Sequence, residues 1–123
     1  MKTMLQALAL VLSFSSLALA PIADAQYFSP AGHWETDASA VNGRGAGHLS
    51  VDIVQSGTGL RWSAANGGLY VCTLRGYQCS GTWSGTTGSG WFDVSFSPDA
   101  SSFYGVWGYG EDRSSSGAWS GHR

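Results

Sequence analysis

Apolar and polar residues alternate along most of this chain. In HLSVDIVQ, residues 48 to 55, Leu49, Val51 and Ile53 fall on one side and His48, Ser50 and Asp52 on the other; LRWSA, 60 to 64, sets Leu60, Trp62 and Ala64 against Arg61 and Ser63. A period of two is the mark of a strand with one buried face, and no window after residue 25 keeps the three-and-four spacing of a helix. Eight such segments are predicted, near 32–37, 47–55, 59–65, 69–74, 77–84, 90–97, 102–109 and 116–123. Turn residues follow most of them: SG at 56, NGG at 66, RG at 75, TTGS at 86, PDAS at 98 and EDRSS at 111. The connection from 38 to 46, ASAVNGRGA, is the longest and least defined.

Loop lengths then suggest a register. With Arg75 and Gly76 as a two-residue turn, Leu74 faces Tyr77 and Cys72 stands opposite Cys79. A three-residue NGG loop sets Trp62 across from Cys72, TTGS sets Trp83 across from Phe92, and PDAS sets Phe96 across from Phe103. Trp107 then lies opposite both Phe92 and Trp119. Each choice keeps the large apolar groups on one side of the sheet.

GTWSG at 81–85 returns as GAWSG at 117–121. Alternation points Gly81, Trp83 and Gly85 inward, and likewise Gly117, Trp119 and Gly121. An indole fits a narrow concave interior when its same-face neighbours give up their volume, and glycine also lets the strand bend there. An open meander would leave two unprotected edges, whereas an even strand count lets the first and last strands pair. The predicted fold is therefore all-β, an antiparallel up-and-down eight-stranded barrel forming a single domain over 32–123. A membrane barrel is excluded, because Asp52, Thr82, Ser84, Asp93 and Ser95 would face lipid.

The first 25 residues stand outside this pattern. Lys2 followed by the apolar run Met4–Ala20 is the layout of a secretory signal, with ALA before Pro21 and ADA before Gln26 as competing cleavage patterns. Proline just past a cut is poorly accepted, which places it after Ala25. A signal peptide over 1–25, a flexible segment over 26–31 and a secreted or periplasmic location are expected. Cys72 and Cys79 are the two cysteines; in an exported chain they read as a disulfide, with two reduced core thiols as the alternative. Six basic against eight acidic residues, net −2, carry no footprint for nucleic acid.

Gly32-His33-Trp34 opens the first strand and Arg123 ends the last. On these residues the chain resembles the calycins, the group of lipocalins, avidins and small bacterial protease inhibitors. The resemblance implies that Trp34 sits at the barrel base with Arg123 packed across it as the closing pair, a cation over an aromatic face. It also implies an internal ligand site, for which Trp62, Trp83, Trp107 and Trp119 are the candidate residues. The inward rings as a set are Trp34, Trp62, Tyr70, Tyr77, Trp83, Phe92, Phe96, Phe103, Trp107 and Trp119, enough to fill a small barrel apart from the space left by glycines.

Other chemistry is sparse. His33, His48 and His122 lack the close spacing of a zinc set, so no metal and no cofactor is expected. Glu35 with Asp37 and Glu111 with Asp112 supply carboxylates, but no nucleophile, base and orienting group assemble from spacing, so no catalytic residue is assigned. A binding protein for a protein partner or a small apolar ligand is the expected function. The alternatives are a carbohydrate-binding module that uses the outward aromatics Trp91 and Tyr104, and, behind it, a small hydrolase.

Overall fold

A computed structural model of the chain describes residues 28–123; the expected signal peptide lies outside the described residues. The fold is all-β, built from β1 (Gly32–Ala38), β2 (Gly47–Ser56), β3 (Gly59–Ala64), β4 (Leu69–Arg75), β5 (Gln78–Gly85), β6 (Gly88–Phe96), β7 (Ser102–Tyr109) and β8 (Gly117–His122). Each strand pairs antiparallel with the next, and β8 returns to β1 from Glu35↔His122 to Ala38↔Trp119, closing the barrel.

Alternation decides which side chains go inside. On β2 Val51 and Ile53 are buried while Asp52 and Val54 are exposed, and on β8 Gly117, Trp119 and Gly121 are buried between exposed Ala118, Ser120 and His122. The centre is a cluster of rings about Trp62, whose centroid lies 5.5 Å from Phe92, 5.3 Å from Phe103 and 5.1 Å from Trp119, the first two edge-on. Edge-on contacts at this spacing add to the burial of large apolar area.

The faces follow the sequence pattern, but several hairpin registers are shifted by two residues from those the loop lengths suggested. Trp62 pairs with Tyr70 rather than Cys72, Trp83 with Gly90 rather than Phe92, and Trp119 with Gly105 rather than Trp107. Phe96↔Phe103 and Phe92↔Trp107 stand as expected. A two-residue shift leaves every side chain on its own face, so the pattern alone does not resist it.

What selects the observed register is steric. The cross-strand pairs Trp83–Gly90, Trp91–Gly108, Phe103–Gly121 and Trp107–Gly117 each set a large ring against a glycine, and a Cβ on any of these glycines would run into that ring. Backbone adds a second constraint: a Cβ on Gly90, Gly105 or Gly117 would also be driven into the carbonyl of Gly108, Asp93 or Ser39 respectively.

Turn dihedrals select the β4–β5 register. Arg75 pairs with Gln78, so the two-residue turn is Gly76–Tyr77, with Gly76 at φ +65°. Glycine at the first central position is what a II′ hairpin requires. Tyr77, expected inside, therefore sits in the turn, 47% exposed, with its ring edge-on to Phe28 at 4.9 Å. Cys72 pairs with Gly81 and Cys79 with Leu74, so the disulfide joins them diagonally, with Cα atoms 5.5 Å apart.

The two barrel ends differ. At the base the Trp34 indole N–H donates to the Pro30 carbonyl at 2.8 Å, and the Arg123 guanidinium lies 5.0 Å from the centre of the Trp34 ring. Arg123 also donates to the carbonyls of Ala31 at 2.6 Å, Ser29 at 3.1 Å and Ala100 at 3.3 Å. At the other end the 39–46 connection folds over the opening. Its Val41-Asn42-Gly43-Arg44 turn has positive φ at both central residues, 52° and 79°, with reciprocal Val41 and Arg44 backbone bonds of 2.9 and 3.1 Å. That is the Asn-Gly chemistry of a I′ turn.

Candidate functional site

Beneath the 39–46 loop the barrel holds a cavity of about 240 Å³. Its walls are Tyr70 on β4, Trp83 on β5, Trp107 and Tyr109 on β7 and Trp119 on β8, with Gly45, Gly47, Gly68 and Gly85 around the rim. Rings from alternate strands converge here because the period of two aims them at the axis; the glycines withhold the side chains that would fill the gap.

The wall is rigid where it is polar. The Trp83 indole N–H donates to the Gly108 carbonyl at 2.9 Å and that of Trp107 to the Ser39 carbonyl at 3.0 Å, so neither ring is free to rotate. Tyr70 stacks on Trp83 at 6.3 Å, and Tyr109 meets Trp107 edge-on at 5.1 Å. Burial raises the Tyr70 hydroxyl above the ordinary tyrosine range, with the neighbouring Tyr109 adding to the effect. The Tyr109 hydroxyl is buried without a hydrogen-bond partner.

The loop is pinned across the opening. Arg44 lies 4.3 Å over the Tyr109 ring and donates to the Thr87 carbonyl at 3.2 Å. Val41 is buried in the core, and Gly45 packs so closely on Trp107 and Tyr109 that a Cβ would collide with both.

Of the residues expected to bind ligand, Trp83, Trp107 and Trp119 line the cavity. Trp62 does not: it is fully buried beneath, enclosed by the rings of Phe92, Phe103 and Trp119. Trp91 is on the outer face, as alternation places it, but it is only 5% exposed. Arg113 lies 4.2 Å over the Trp91 ring, the Trp91 indole N–H donates to the Asp112 carbonyl at 2.9 Å, and Arg113 donates to the Asp93 carboxylate at 3.0 Å. The β7–β8 loop thus covers it. Tyr104 is 73% exposed on β7 and is not joined to Trp91 in a common platform.

A second constellation lies outside the barrel on β1 and β2. His33 places Nδ1 2.9 Å from Asp52 and Nε2 2.5 Å from Glu35; His48 places Nδ1 3.0 Å from Asp37 and Nε2 2.6 Å from the other Glu35 oxygen. Ser50 donates to both Glu35 oxygens, at 2.8 and 3.0 Å. His48, Ser50 and His33 hold the Glu35 carboxyl down at about 2, while the carboxylates hold both imidazoles above their ordinary 6.5, Asp52 contributing most at His33 and Asp37 at His48. Among the described residues no three His, Cys, Asp or Glu side chains stand where one metal ion would be held.

Sequence reasoning missed this ladder, though its signal is present. HWETD and HLSVD carry His, Glu, Asp and His, Ser, Asp at every second position, and antiparallel pairing sets each histidine opposite an aspartate, His33↔Asp52 and His48↔Asp37. No known protein family, curated protein or solved structure matches the chain.

Proposed function

We propose that this is an exported, non-catalytic binding protein of calycin-like type whose barrel mouth takes one small, uncharged aromatic molecule. The observation that carries the reading is the 240 Å³ cavity walled by Tyr70, Trp83, Trp107, Tyr109 and Trp119. An apolar cavity of about 150 Å³ accepts benzene, and drug-sized ligands need about 300 Å³ or more, so this one suits a single substituted ring or a fused pair. The lining residues His48, Tyr70 and Tyr109 bring titratable groups but no arranged nucleophile and base, which favours binding over turnover. Export is supported by the leader-like pattern of residues 1–25 and by the Cys72–Cys79 disulfide.

The test is ¹⁹F NMR of 4-fluorophenol with the purified protein, compared with a soluble methyl glycoside. For a ligand this small the expected dissociation constant is about 0.1–1 mM. A blocking variant is at hand in Gly85→Leu, since a Cβ there meets only ordinary contacts at 3.7 and 3.9 Å. Binding by the wild type that Gly85→Leu abolishes sustains the reading; a silent ¹⁹F spectrum with the wild type removes it.

A further inference from the structure

The outer ladder and the loop over the mouth are consecutive parts of one hairpin. Rows His33–Asp52, Glu35–Ser50 and Asp37–His48 lead to Ala38–Gly47, the last β1–β2 pair, and from there the chain runs out as the 39–46 loop. The two limbs of that loop are held differently. Ser39 is fixed to β8, its N–H donating to the Ala118 carbonyl at 2.9 Å and its hydroxyl accepting from the Ala118 N–H at 2.7 Å. The other limb passes through Gly45 and Gly47, at φ +84° and +148°, and the next side chain is His48, gripped by Asp37 and Glu35.

Each imidazole in the ladder has a carboxylate oxygen at both nitrogens. A neutral imidazole carries one N–H and one lone pair, so it donates to one of these oxygens and turns a lone pair on the other. The arrangement is satisfied throughout only when both rings carry two protons. The groups facing them are Glu35 and Asp37 on β1, Asp52 and Ser50 on β2, His122 on β8 opposite Glu35, Ser120 opposite Asp37, and Ser63 on β3 opposite Asp52, with Arg61 exposed further along β3 opposite Val54. Among the described residues the ladder's carboxylates form their ion pairs with His33 and His48, so no fixed cation takes over when protons leave.

We propose that the Asp52–His33–Glu35–His48–Asp37 ladder is a proton-operated latch on the loop that roofs the barrel mouth, shut when both imidazoles are protonated and released when they are not. As a control on ligand exchange it rests on the reading of the mouth as a binding site; as a control on the loop it stands on the geometry alone. Loss of the protons leaves three carboxylates facing two neutral rings, His48 lets go of Asp37 or Glu35, and the glycine-bearing limb gains freedom to lift Arg44 from Tyr109. Ligand is then retained in mildly acid surroundings and exchanged as the pH rises.

Amide hydrogen exchange of the intact, disulfide-bonded protein tests this, with rates corrected for intrinsic exchange. Between about pH 5.5 and about pH 8 the protection of residues 40–47 is expected to fall about tenfold, while amides of β6 and β7 hold theirs. His48→Gln and Glu35→Gln each remove the pH step; two variants are used so that misfolding of one leaves the other decisive. The off-rate of 4-fluorophenol, uncharged across this range as phenols are, is expected to rise in parallel. Loop protection that stays level with pH, or that falls equally in every strand, overturns the latch. A pH step in the loop with no 4-fluorophenol binding at any pH overturns the binding reading and leaves the latch on the loop standing. Binding with a level loop does the reverse.

Discussion

Phe103 lies directly against Gly121: the two are cross-strand partners on β7 and β8, and a Cβ on Gly121 would fall within the edge of the Phe103 ring. Phe103 has no room to retreat, since Trp34, Trp62, Phe96 and Trp119 stand 5.2–5.7 Å from it, centroid to centroid. The barrel core is therefore a set of rings seated on glycines, and the glycines are as specific as the rings.

Gly121→Ala is accordingly expected to destabilise the fold by about 2–3 kcal/mol, in the range of overpacking a closed core. Gly59→Ala is the control, because a Cβ there meets only the Ser56 carbonyl at 3.4 Å and the backbone is ordinary. Urea midpoints of the two variants and the wild type decide it; equal midpoints would show that the core yields.

Removing the Cys72–Cys79 bridge by a double substitution to alanine is expected to cost about 2–3 kcal/mol, the loop-closure value for so short a ring. Both sulfurs are buried beside the β4–β5 turn, and the fold keeps its other hairpins, so the variant is expected to remain a barrel with a lowered thermal midpoint. Calorimetry of the variant, and of the wild type in reductant, measures the loss.

Arg123 donates to carbonyls of the 29–31 segment and the β6–β7 turn while covering Trp34. Arg123→Ala is expected to lower stability by about 2 kcal/mol, the scale of charge-assisted hydrogen bonds together with a cation–π contact. Arg123→Lys recovers only part, since one ammonium does not span these acceptors. Because the lost contacts gather at the base, hydrogen exchange should quicken around Trp34 and leave the mouth loop unchanged.

Stability should also vary with pH in a direction set by the ladder. The raised values of His33 and His48 mean that their contribution is complete below 6.5 and is lost as pH climbs through the folded-state values. Glu35, held at about 2 against an ordinary 4.5, contributes fully above 4.5 and loses that contribution as pH falls toward 2. Maximum stability is thus expected between 4.5 and 6.5. A His33→Gln, His48→Gln double variant should lose the decline on the alkaline side, as read from urea midpoints across pH; a decline that persists unchanged would assign it to other groups.

The candidate site was legible in part. Trp83, Trp107 and Trp119 could be aimed inward from period two alone, and they do wall the cavity. Trp62 and Trp91 could not be placed, because what hides them comes from elsewhere in the chain. Trp62 is enclosed by rings from β6, β7 and β8, and Trp91 is roofed by Asp112 and Arg113 from the β7–β8 loop. The ladder was written in HWETD and HLSVD, but reading it required the register across 38–46, where the Asn42–Gly43 turn and the buried Val41 set the alignment.

By itself the chain determined which residues inside the strands face in and which face out, Tyr77 at the β4–β5 turn being the exception, and that eight short strands close on one another, because alternation is a property of each strand's own backbone and an even count brings the ends together. Only the tertiary structure decided which rows meet. A shift of two residues changes no face, so the choice fell to fits between distant side chains and to turn dihedrals: Trp83 over Gly90, Phe103 over Gly121, and Gly76 leading a tight turn. Those same fits left the space at the mouth unfilled and brought two histidines to the two sides of Glu35.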